Sequence, residues 1–129
     1  MTGKTLCVMG SSHVASLKMA WDRIARDHPA TRVTFFAHRG TGLAALKAVR
    51  GQLVPTNEKL RQALSHTSGG LDKIEIAAYS AFLLYGIGIF PRKLPAGAYS
   101  RAAMRRGFED HVNGSVAGKM IKLIREISD

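Results

Sequence analysis

The stretch TLCVMGSSHVASLKMAW, residues 5–21, limits the fold more than any other part of the chain. Residues 5–9 carry no alternation of polarity, which predicts a strand buried on both faces. The run stops at Gly10. From Val14 the apolar positions Val14, Leu17, Trp21 and Ile24 recur every three or four residues, the period of one helix face. Lys18, Asp22 and Arg26 follow at i,i+4 spacing on another face, and Pro29 closes the helix. A buried strand that turns at a glycine into an amphipathic helix is the opening half of a βαβ unit.

The rest of the chain repeats that alternation less cleanly. Residues 32–37 (RVTFFA) read as a second strand, followed by the loop HRGTG. The spacing of Leu43, Leu46 and Val49 predicts a helix from Leu43 to Val49, and Gly51 and Pro55 interrupt it. Thr56 or Asn57 is placed to cap a short helix through Leu64. SHTSGG (65–70) has the composition of a flexible loop. A third strand fits Ala81–Tyr85 and ends at Gly86, before a loop rich in Gly and Pro. Ser100 starts a helical segment to about His111. A last one runs from Ser115, with Val116, Met120, Leu123 and Ile127 on one side. Strands alternating with helices predict right-handed crossovers and a small three-layer α/β fold on a parallel sheet. Three strands are few for such a sheet. Either another lies in the 50s or 70s, or the chain is an incomplete version of a larger α/β fold.

At 129 residues the chain makes one domain. Its longest uncharged run, IAAYSAFLLYGIGIF (76–90), is broken by glycines and reads as buried interior rather than a membrane span. The apolar run after Lys4 is too short for a signal peptide. Cys7 is the only cysteine, which rules out an internal disulfide and a cysteine metal cluster and fits a reducing, cytoplasmic setting. Inside a strand it serves as a small hydrophobe rather than a reactive thiol.

The net charge of +10 would attract nucleic acid, anionic lipid or acidic polymers. The bases are spread out, however, with ten Lys/Arg in residues 1–64 and nine in 65–129. No aromatic residues interleave with them to stack bases, which argues against nucleic acid. TGKT (2–5) lacks the strand and first glycine of a phosphate-binding loop, and Gly86-Ile87-Gly88 lacks the third glycine of a dinucleotide site. His28 and His66 read as surface residues. His13, His38, His66 and His111 show no metal-ligand spacing. No metal and no cofactor is expected.

Ligands of parallel α/β sheets bind beyond the carboxyl ends of the strands. Here those ends present Gly10-Ser11-Ser12-His13, His38-Arg39-Gly40-Thr41-Gly42 and Gly86-Ile87-Gly88. Ser12 would stand at a helix N-terminus, whose unpaired amides stabilise an oxyanion. Ser is equally a preferred helix cap, so nucleophile and cap are both open at this position.

The three stretches together resemble the SGNH/GDSL hydrolase superfamily, chiefly bacterial members that begin with a strand, then G-[DNS]-S-H and a helix rich in small residues. The resemblance implies a flavodoxin-like, SGNH-like sheet, with the chain forming one such domain or its N-terminal part. It implies Ser12 as nucleophile, Gly40 (or Gly42) as an oxyanion-hole amide, and Gly88 at the third-block position. His13 and His38 fall at the mouth of the site as binding contacts.

Three positions depart from the family pattern. Ser11 stands where Asp is usual. Gly88 stands where an Asn amide would donate to the oxyanion, a donor worth about 3–4 kcal/mol in the transition state. The general-base motif D-x-x-H does not occur after His111, and Asp110 beside His111 points about 100° away on a helix. A serine without a base stays protonated and attacks poorly.

Three readings are open. The first is a serine esterase acting on a carbohydrate or lipid ester. The second is a non-catalytic α/β domain binding a small anion or sugar through the same loops. The third is a basic adaptor for nucleic acid or an acidic partner. Open sheet edges in a three-stranded fold also favour pairing with another copy.

Overall fold

The computed structural model describes residues 3–87 and 97–128. In chain order its first elements are β1 (Lys4–Gly10), α1 (Val14–Ile24), β2 (Thr31–Ala37), β3 (Leu46–Val49) and β4 (Gln52–Pro55). They are followed by α2 (Glu58–Ser68), β5 (Ile74–Glu75), β6 (Ala81–Tyr85), α3 (Arg101–Gly114) and α4 (Val116–Ile127). β1 lies between β2 and β6 and is parallel to both, giving a three-stranded sheet ordered β2-β1-β6. Gly10 pairs with Ala37 on one side and Tyr85 on the other. The three strands therefore end level, and the loops that leave them share one rim.

Alternation along the strands separates two cores. Cys7, Met9 and Phe36 face a cluster that includes Leu46, Leu53, Leu60, Leu64, Ile74, Met120 and Ile124. Val8, Phe35 and Ala37 face the other way, against Val14, Leu17 and Trp21 of α1. The chain is thus mixed α/β: α1 covers one face of the sheet, and α4 with the smaller strands covers the other.

Several expectations from the sequence change here. Leu43–Val49 is not a helix. Gly42–Ala45 forms a single 3-10 turn, and Leu46–Val49 is β3, joined to β4 by a two-residue turn. Arg50 and Gly51 both take positive φ, 49° and 78°, as such a turn demands. Leu43 and Leu46 are buried as the helical spacing required, but Val49 is exposed, because the chain reverses before a second helical turn forms. Strands do lie in the 50s and 70s, yet β4 and β5 join β3 in a separate antiparallel sheet instead of widening the parallel one.

SHTSGG is not a loop as far as Ser68. α2 continues through it and ends at Gly69 in the left-handed conformation, φ 83°. The segment beginning at Ile76 is only half interior. β6 is an edge strand whose Phe82 and Leu84 pack on the core, while Leu83 and Tyr85 remain 41% and 38% exposed. Residues 88–90 of that segment lie outside the described part.

The helix caps match the sequence pattern. The Asn57 side chain accepts from the Leu60 amide at 2.8 Å, Ser100 caps α3 and Ser115 caps α4. Among the described residues no helix is long and apolar enough to cross a membrane.

Leu60 is fully buried where α2 meets the main core. Leu60→Ala is expected to lower unfolding free energy by about 2–5 kcal/mol. Met19→Ala, at a position 64% exposed, should change it by less than about 0.5 kcal/mol. Urea unfolding followed by circular dichroism checks both.

Candidate functional site

The rim is built from the end of β1. A Cβ on Gly10 would stand 1.9 Å from the Tyr85 carbonyl oxygen and 2.6 Å from Val14 Cγ2. Only glycine lets β6 and α1 close on this point together. Ser11 is then buried, and its hydroxyl donates to the Gly86 carbonyl at 2.8 Å, tying the end of β1 to the end of β6.

Ser12 points out of the turn and is exposed. It does not cap the helix. α1 begins at Val14, its cap position is His13, and no side chain closes that end. The Val14 amide donates to the Ser11 carbonyl at 3.0 Å, and the Ser12 amide has no acceptor among the described residues. Its hydroxyl likewise has no partner among them.

Ser12 opens onto a cleft of about 620 Å³ between α1, the end of β2 and α2. Val14 and Ala15 of α1, Phe35 and Ala37 of β2, and Ala63 of α2 form its apolar part. Lys18, His38, Arg39, His66 and Thr67 supply the polar groups, and among the described residues no carboxylate lines it. Thr67 is already engaged: Oγ1 accepts from the Ala37 amide at 3.0 Å and donates to the Ala63 carbonyl at 2.8 Å. Lys18 is paired with Asp22 at 2.9 Å, and its ammonium lies 6.0 Å from the centre of the Phe35 ring. The His38 ring rests against Gly42, where a Cβ would come within 2.0 Å of Cδ2.

The structure therefore brings Ser12 and His38 to one cleft. His13 lies beside Gly86, on the β6 side of the turn, and does not line the cleft. Gly40 belongs to the loop that carries His38 and Arg39, with φ 59°; it does not line the cleft, and its amide has no acceptor among the described residues. Gly88 falls outside the described residues. His111 sits in the last turn of α3, which packs on α4, and His28 stacks on Trp21 with 6.1 Å between ring centres.

His66 is exposed, as the sequence pattern has it, and the structure also makes it part of the cleft wall, which the sequence reading missed. The signal is present: once α2 is continued past Leu64, Ala63, His66 and Thr67 share one face at i, i+3 and i+4. The loop-like composition of 65–70 conceals it. Among the described residues no three His, Cys, Asp or Glu side chains cluster as metal ligands would. No family model matches this chain, and neither a curated protein nor a solved structure matches it.

Cys7 stands apart from the cleft. Burial in the centre of β1 pushes its thiol up to about 12, since the thiolate would lose its hydration. Below about pH 9 the thiol is neutral folded and unfolded, so stability is unaffected. Between about 9 and 12 the unfolded chain ionises first, and stability falls as pH rises. Native protein at pH 8 should react with a disulfide thiol reagent at least about a hundredfold more slowly than urea-unfolded protein. Equal rates would show the thiol accessible.

Proposed function

We propose that the chain is an SGNH-type α/β domain whose cleft receives a carbohydrate or lipid ester, with Ser12 as the attacking hydroxyl. The observation that carries this reading is the position of Ser12. Its hydroxyl leaves a tight turn at the end of the central parallel strand, without a partner among the described residues, and faces a cleft walled by two imidazoles. In the proposed step Ser12 Oγ bonds to the ester carbonyl carbon as His38 or His66 takes its proton. The amide of Ser12 is the candidate donor to the resulting oxyanion. Collapse expels the alcohol, which regains the proton, and water then releases the acid from the acyl-serine.

A second reading rests on a separate observation. Every ionisable residue lining the cleft is a base, so neither histidine has a carboxylate there to orient it. A non-catalytic cleft for a small anion or sugar on the same scaffold needs no such partner.

Hydrolysis of 4-nitrophenyl acetate and butyrate by the wild type and by Ser12→Ala distinguishes the two. On the first reading Ser12→Ala loses at least about a hundredfold in kcat/KM. Equal rates would remove Ser12 as nucleophile and leave the binding reading.

A further inference from the structure

We propose that the occupant of this cleft is a small amphiphilic anion, an acyl or aryl chain bearing a carboxylate or phosphate group; the inference rests on the proposed use of the cleft at Ser12. The lining includes hydrocarbon from Val14, Phe35, Ala37 and Ala63, which suits a short apolar chain. It also includes Arg39, His38, His66 and Lys18.

Lys18 is largely answered by Asp22, so the charge left for a ligand lies on Arg39. Its guanidinium is a fork that matches carboxylate and phosphate oxygens. An imidazole offers an N–H in either protonation state, and an anion there would meet no lining carboxylate to repel it. A cationic ligand would face like charge, and a neutral one would accept hydrogen bonds here but leave the Arg39 charge without a counter-charge. The chain's net charge of +10 favours approach of the same sign of ligand.

The test uses the whole 129-residue chain and amide chemical shifts read during titration. The probes are octanoate, octyl phosphate, octanol, octylammonium, inorganic phosphate and phosphatidylglycerol vesicles. Octanoate or octyl phosphate is expected to move the amides of Ser12, Ala15, Ala63 and Thr67, at least tenfold more tightly than octanol or octylammonium. Which of the two anions binds better identifies the headgroup. Arg39→Gln combined with His66→Gln should weaken binding at least fivefold, with the rest of the spectrum confirming the fold.

Equal affinity for octanol overturns the proposal. So does saturation by inorganic phosphate alone, or a response to vesicles without one to the monomeric anions. A second, shallower groove is lined by Leu6, Leu17, Trp21, Val33 and Leu83, and shifts confined to it would also overturn the proposal. Binding of octanoate by a chain that hydrolyses no ester would sink the esterase reading and leave this inference standing. Ester hydrolysis with no preference for an anionic ester over its neutral analogue would do the reverse.

Discussion

Because β1 is hydrogen-bonded along both edges, its last residue has to accommodate both neighbouring strands and the start of α1. The Tyr85 carbonyl passes 1.9 Å from where a side chain on Gly10 would begin. That contact governs the geometry of the whole rim. With Gly10 bare, β6 ends level with β1 and β2, the buried Ser11 hydroxyl reaches the Gly86 carbonyl, and Ser12 is turned outward. The orientation of the candidate nucleophile is thus a consequence of strand packing.

The two faces of the sheet are filled unequally. One packs against a cluster drawn from α2, α4 and the small antiparallel sheet, with many fully buried residues. The other is covered by α1 alone, and Ile24, Met19 and Leu83 remain well exposed around it. The cleft opens on this thinner side, where α1 and α2 flank the end of β2 without meeting over it. Thr67 bridges α2 to that strand end through the Ala37 amide. It fixes α2 to the end of β2, and Ser12, Arg39 and the two imidazoles line the cleft beside it.

Local chemistry makes much of this readable. β1, β2, β6 and α1 are all visible from apolar runs and a helical period, and Asn57, Ser100 and Ser115 mark the starts of three helices by their capping side chains. The failures share a cause. Leu43, Leu46 and Val49 have helical spacing, but Arg50 and Gly51 reverse the chain into a hairpin whose second strand also pairs with β5, on the far side of α2 in the sequence. Residues 65–68 look like a loop in isolation and are helical because Leu60 and Leu64 anchor α2 in the core.

What the amino-acid order determined alone was the strand-glycine-helix turn at residues 5–21, since the apolar period and the absence of a Cβ act over a few residues. The level of the rim came from the pairing of β1 with β2 and β6. Tertiary structure decided which side chains meet there. His66 reaches the cleft from α2, which Leu60 and Leu64 set in the core, and His13 does not line it, its side chain lying beside Gly86 on the other side of the turn. Ser12 is an exposed hydroxyl rather than a cap because α1 begins at Val14 with His13 at the cap position. The approach of Tyr85 to Gly10, which fixes the end of β6 beside this turn, joins residues 75 positions apart that no local pattern links.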